Sequence, residues 1–311
     1  MPLHPALQQL IATKLANSTT PQWALPLDEV RRTFEDIWQP AITGPILELP
    51  GILDHTIVSE SRSIPIRIYT PAGPSPRPVI LYFHGGGFVK GSLKACDAFC
   101  RRLTVTTECL VISVGYRLAP EHPFPAALND AYDATVWAAG HAQEFGGDPN
   151  RLIVSGESAG GNLAAVVSLL ARDRPGPRLL VTVLLQPVVD FTLSLPSIGM
   201  AGDQCLVPHE DLEWYYRMYY GTRQELKDPL VSPIFADSLD GLPPTVILAA
   251  EYDTLRDEAA TYAQRLRDAG NDVRYTCYPG MIHGFLQMGG LVEEAQLAVD
   301  DIQRAIRDMG T

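Results

Sequence analysis

The chain has 311 residues, 46% of them hydrophobic, and its 24 Lys and Arg against 36 Asp and Glu leave a net charge of −12. An acidic excess spread without a block opposes binding to DNA, RNA or anionic lipid, and no segment reaches the eighteen or so apolar residues of a membrane helix. The five cysteines, at 96, 100, 109, 205 and 277, show no metal-ligand spacing and read as reduced thiols rather than a disulfide framework.

Residues 1–45 read as helix-like segments ahead of the first strand. Residues 1–16 carry no basic stretch before a long apolar run, so no targeting leader is expected and the expected location is cytoplasmic. Residues 55–60 and 64–70 alternate apolar with polar side chains and predict an antiparallel edge hairpin. The runs at 79–83, 109–114, 152–155, 179–185 and 245–250 are instead continuously apolar, as strands buried on both faces must be, and predict a parallel sheet. Residues 273–278 read as the next strand. Helical patterns at 93–105, 125–145, 163–171 and 257–269 supply the crossovers of an α/β fold in a single domain without a sharp linker. The stretch of about 190–240 breaks this rhythm with aromatic-rich sequence, Trp214-Tyr-Tyr216 and Tyr219-Tyr220.

Three strand ends carry reactive residue types. After the apolar run at 151–155 comes Gly156-Glu-Ser158-Ala-Gly160, followed at once by helical sequence. A serine at the apex of so tight a turn is forced into strained backbone geometry, and glycines two before and two after leave room for the chain to fold back. Ser158 is thereby turned outward as a nucleophile. A hydroxyl needs a base to take its proton, and the imidazolium then formed needs a carboxylate to orient and stabilise it. The strand at 245–250 ends in Glu251-Tyr-Asp253, and the strand at 273–278 ends in Pro279-Gly-Met-Ile-His283. Glu251 and Asp253 would share a strand face, so alternation does not choose between them. Asp257 and Glu258 read as first-turn acids that complement a helix dipole. The chain order serine, acid, histidine is that of the α/β-hydrolase fold.

Upstream, the strand at 79–83 runs into His84-Gly-Gly-Gly-Phe88. Three glycines leave backbone N–H groups unobstructed, and in acyl transfer each preorganised donor to the developing oxyanion contributes about 3 kcal/mol. A phosphate loop is the poorer reading, because the chain has no G-x-G-x-x-G and no Gly-Lys-Ser/Thr there, and no acid placed for a ribose. His84 is expected to brace this loop, and His4, His55, His122, His141 and His209 have no catalytic context.

Together with Tyr116-Arg-Leu-Ala-Pro-Glu-His-Pro-Phe-Pro-Ala-Ala127, Asp253-Thr-Leu-Arg-Asp-Glu258 and Tyr278-Pro-Gly-Met-Ile-His-Gly-Phe285, these motifs resemble the hormone-sensitive-lipase-like, or bacterial family IV, carboxylesterases. The resemblance runs over nearly the whole chain. It implies an α/β-hydrolase domain at 46–311 with a mostly parallel sheet flanked by helices. Residues 1–45 and an insertion at about 190–240 would form a helical cap. It places a triad on Ser158, Asp253 and His283, with Glu251 the fallback acid. The oxyanion donors fall on the N–H groups of Gly86, Gly87 and Ala159, with Gly85 the weaker third glycine. Glu157 stands where many relatives carry Asp or Thr, and its role stays open between tuning His283 and a structural hydrogen bond. Thr254 follows the triad acid where proline is frequent.

The activity so implied is hydrolysis of short- to medium-chain carboxylic esters through an acyl-enzyme, with no cofactor and no metal. The same triad serves amide, formamide or lactone bonds, and a non-catalytic receptor of this fold would be expected to lack the histidine, which is present. The expected partner is a small-molecule ester, with a homodimer left open and neither nucleic acid nor membrane expected.

Overall fold

In the computed structural model, which describes residues 1–17, 20–59, 62–200, 204–223 and 225–310, the apolar runs become strands of one sheet. These are β1 (Gly51–Ser59), β2 (Arg62–Thr70), β3 (Arg77–Phe83), β4 (Leu110–Val114), β5 (Gly147–Glu157), β6 (Leu179–Leu185), β7 (Thr245–Tyr252) and β8 (Val273–Ile282). Their order is β1-β2-β4-β3-β5-β6-β7-β8. The β1–β2 hairpin forms with Ser59 opposite Arg62, and β2 joins β4 antiparallel; every other pairing is parallel. Glu60, where the expected first strand of that hairpin ended, lies outside the described residues.

Successive side chains of a strand point to opposite faces, and here both faces are covered. Val79, Leu81, Phe83 and Val154 pack with Ala131 of α5 (Ala126–His141), Leu163 of α6 (Ala159–Asp173) and Ala263 of α8 (Arg256–Asp268). Ile80, Tyr82 and Ile153 pack on the other side with Leu7, Phe99 and Ile302. Those three lie on α1 (Pro5–Asn17), α4 (Asp97–Thr107) and α9 (Glu294–Met309). Two-sided burial is why the runs are continuous rather than alternating.

Several boundaries differ from expectation, among them β5, which spans Gly147–Glu157 rather than 152–155, and β8, which runs past 278 to Ile282. The helix expected from 93 begins at Asp97, because Ser92 Oγ takes the Ala95 N–H at 3.2 Å and holds a turn first. The helix expected from 163 begins at Ala159, immediately after Ser158. The helix α9 lies outside every expected element, although its buried stripe Ala295, Ala298, Val299, Ile302, Ala305 and Ile306 keeps the three-four spacing of an amphipathic helix.

The N-terminal stretch also includes α2 (Leu27–Ile37) and α3 (Pro40–Thr43), and the 190–240 stretch contains α7 (His209–Tyr220); residues 201–203 and 224 of it lie outside the described residues. The two stretches touch. Lys14 Nζ donates to Leu206 O at 2.7 Å and Tyr215 Oη donates to Gln22 Oε1 at 2.8 Å. Arg31 ties α2 to the body through Val89 O at 2.9 Å, Ala119 O at 3.1 Å and a paired contact with Glu121. The five cysteines are free thiols, four of them buried.

Candidate active site

From β3 the chain proceeds to β4 on one side, while β5 lies on the other, so the crossover direction reverses between β3 and β5. The crevice outside the carboxyl ends of strands at such a reversal is where open α/β sheets bind ligands. The His84 glycine loop leaves β3 and Ser158 leaves β5 at this point, which follows from topology alone.

Ser158 adopts φ 56° and ψ −116° between β5 and α6, a left-handed region that a side chain enters only when its surroundings impose it. Its N–H donates to Leu185 O at 2.9 Å and its carbonyl accepts from Val188 N at 3.1 Å, so the segment leaving β6 grips the serine backbone from both sides. The flanking glycines are obligatory. A Cβ on Gly156 would lie 2.1 Å from Gly160 O, and one on Gly160 would lie 1.9 Å from Phe83 O.

The acid and base expected from the sequence meet. His283 Nδ1 donates to Asp253 Oδ2 at 2.9 Å, with Asp253 1% and His283 8% exposed. Asp253 Oδ1 accepts the Leu255 N–H at 2.9 Å and Oδ2 also accepts from Gln186 Nε2 at 3.1 Å. Burial disfavours the charged imidazolium, yet the charge and hydrogen bond of Asp253, helped by the charge of Glu157, win and hold His283 above its ordinary value. Glu251, the fallback acid, is a third exposed and accepts the Gly280 N–H at 2.8 Å. It orders the turn before His283 rather than touching the ring. Ser158 is 9% exposed, and among the described residues its Oγ makes no hydrogen bond to His283. Acid and base are therefore assembled while serine and base stand open, a contact that in such sites commonly tightens only on substrate.

The glycine loop lies against the serine. A Cβ on Gly85 would sit 3.6 Å from Ser158 Cβ. Gly86 and Gly87 have φ of 124° and 62°, and among the described residues their N–H groups donate to no backbone carbonyl. Ala159 is the first residue of α6, so its N–H belongs to the orphan donors of a helix start. The loop is braced as expected. His84 Nδ1–H donates to Gly85 O at 2.8 Å, the ring stacks on Tyr116 at 4.2 Å, and burial pushes its pKa down to about 4, so it stays neutral. A Cβ on Gly87 would come within 2.3 Å of the Tyr215 ring, so α7 closes directly over this loop.

Three other residues near the site take definite places in the structure. Glu157 is buried and accepts from Gln287 Nε2, while its other oxygen has no hydrogen-bond partner among the described residues; burial pushes its carboxyl up. Glu258 stands in the first turn of α8, as expected, but away from solvent. It is 2% exposed, accepts the Asp190 N–H at 2.9 Å, and burial pushes its carboxyl well up. Thr254 uses the hydroxyl that proline would lack, donating to Val207 O at 2.9 Å and tying the acid's strand end to the 190–240 stretch. Gln186 was missed altogether; no short motif marks it. Among the described residues no group of His, Cys, Asp and Glu has the arrangement of a metal site.

A serine raised on a strained turn at the crossover reversal against a glycine loop, with an acid-histidine pair following the last two strands, is the construction of an α/β hydrolase. The family pattern described as the alpha/beta hydrolase fold matches residues 80–287. The chain belongs to that family, in its hormone-sensitive-lipase-like branch. It is 42% identical to the carboxylic ester hydrolase LipN of Mycobacterium tuberculosis over 80% of this chain and 69% of that protein. With the ethyl acetate hydrolase of Pseudomonas putida the identity is 36%, over 93% and 92%. The solved hyperthermophilic esterase of Pyrobaculum calidifontis superposes with a TM-score of 0.93 at 38% identity, covering 99% of each chain.

Proposed function

We propose that this chain is a serine carboxylesterase acting on short- to medium-chain esters through an acyl-enzyme. The observation that carries the reading is the 2.9 Å bond from His283 to a buried Asp253, beside a serine held in left-handed geometry against a glycine loop. Relatives named as ester hydrolases support the choice of bond.

Ser158 Oγ attacks the ester carbonyl carbon as its proton passes to His283 Nε2, and Asp253 stabilises the imidazolium. The carbonyl oxygen, now anionic, is held by the N–H groups of Gly86, Gly87 and Ala159. Collapse expels the alkoxide, which takes the proton from His283 and departs as alcohol, leaving the acyl group on Oγ. Water, deprotonated by His283, attacks next; the acid leaves and Ser158 regains its proton. No step calls for a cofactor or metal. The reading includes a soluble ester as substrate and a cytoplasmic location, and among the described residues no helix is long and apolar enough to cross a membrane.

Ser158→Ala should abolish hydrolysis of p-nitrophenyl butyrate, and a fluorophosphonate should label Ser158 once per chain. Asp253→Asn should lower kcat by about 10⁴-fold, while Glu251→Gln, altering the Gly280 turn contact and the ion pair with the Met1 ammonium but nothing at the ring, should leave it within a few-fold. Retained turnover in Ser158→Ala, or a larger loss in the Glu251 variant than in the Asp253 variant, contradicts the assignment.

A further inference from the structure

We propose that Gln186 is the positioning residue that sets His283 at its working place relative to Ser158. It is the first residue past β6, fully buried, with φ 46°. A non-glycine residue is kept in that conformation only where its neighbours over-determine it, and those neighbours are the acid and base. Gln186 Nε2 donates to Asp253 Oδ2 and to Ile282 O, both at 3.1 Å. Its Oε1 accepts the Gly284 N–H at 2.8 Å. One amide thus holds the carboxylate and the backbone on each side of His283, and both its N–H bonds and its carbonyl are used. The main chain of Gln186 is itself pinned, its N–H donating to Leu248 O of β7 at 2.7 Å.

The same segment holds the nucleophile. Leu185 O and Val188 N bracket Ser158, on either side of the residue whose amide brackets His283. The separation of serine and base is therefore set through residues 185–188 rather than by direct contact, consistent with the open hydroxyl. Only an amide offers a donor pair and an acceptor at this reach. Methionine would leave Ile282 O, Gly284 N–H and one lone pair of Asp253 without partners. A glutamate would face two acceptors and fit only when protonated, since its ionised form meets the Asp253 charge directly.

This inference rests on the esterase reading for its kinetic test but not for its spectroscopic one. In Gln186→Met, kcat on p-nitrophenyl butyrate should fall on the order of 10²-fold, the scale of a displaced catalytic group, with KM changed less than about threefold. Gln186→Glu should come closest to wild type at pH 6, and its kcat relative to wild type should fall by about tenfold or more between pH 6 and 9 as the introduced carboxyl loses its proton. Near-ultraviolet circular dichroism at each pH verifies that the chain stays folded. Independently of turnover, the low-field proton resonance of His283 Nδ1–H, identified by its loss in Asp253→Asn, should shift or broaden in both variants. A Gln186→Met kcat within threefold of wild type overturns the proposal, as does a pH-independent Gln186→Glu ratio with an unmoved resonance. If Gln186→Met does not fold, the glutamate variant decides alone. A wild-type chain without esterase activity whose resonance still responds to both substitutions refutes the functional reading and leaves the positioning role standing.

Discussion

At His283 burial and charge act in opposite directions, and charge wins. The base is competent only when neutral, so a value held above the ordinary 6.5 moves the acidic limb of kcat/KM upward, toward neutrality. For stability the sign is reversed. A histidine whose folded pKa is raised contributes stability that is fully present below its unfolded value and is lost as pH rises through the folded one. Acidification across that window therefore strengthens the fold while it switches off the base. Glu157 supplies part of the upward push, so Glu157→Gln should lower the acidic limb, measurable as a leftward shift in the kcat/KM profile. A limb that stays in place or moves up would mean that the Glu157 charge does not reach the ring and that its contact with Gln287 is structural only.

Among the elements, the loop after β3 and the helix α7 depend on each other's shape. Gly87 needs its positive φ and has no room for a methyl group, because the Tyr215 ring occupies that space. Tyr215 is held in turn by Gln22, whose Oε1 also accepts from Lys90 Nζ at 2.9 Å, so the N-terminal stretch, the loop and α7 form one contact set. Gly87→Ala should cost about 1–3 kcal/mol of stability and about 10²–10³-fold in kcat through a displaced oxyanion donor. If the clash is the cause, Gly87→Ala combined with Tyr215→Ala recovers part of the rate, since contacting residues are not additive. A double variant as slow as the product of the two single losses would place the defect in the loop backbone alone.

For the molecule as a whole, the contact between residues 1–45 and the 190–240 stretch bears on selectivity. If the two stretches roof Ser158, which is only 9% exposed, an acyl chain must fit beneath them. Each methylene first gains about 0.8 kcal/mol of burial, and past the end of a finite pocket the gain turns into steric cost. The specificity constant for p-nitrophenyl esters is expected to peak between about four and eight acyl carbons, and removal of residues 1–45 should flatten the profile. A chain that cleaves sixteen-carbon esters faster than butyrate would show that no such roof limits the site.

Much of this was legible in the sequence because its causes are local. Strands buried on both faces must be continuously apolar, the serine turn must have glycine at 156 and 160, and the left-handed loop needs glycine at 86 and 87; each demand is written at the residue that meets it. The helix α9 is equally legible in its three-four stripe. Tertiary structure alone decided the rest. Asp253 and Glu251 stand two residues apart at one strand end and share a chemistry, and only the approach of β8 shows which one reaches the histidine ring. Glu258 resembles a helix-capping acid until the chain after β6 is laid over it. Gln186 carries no motif at all, because its role is defined by Asp253, Ile282 and Gly284, 67 to 98 residues away in the chain. Bonds that close over such separations depend on where two strand ends meet in space, and no local pattern of residues encodes that meeting.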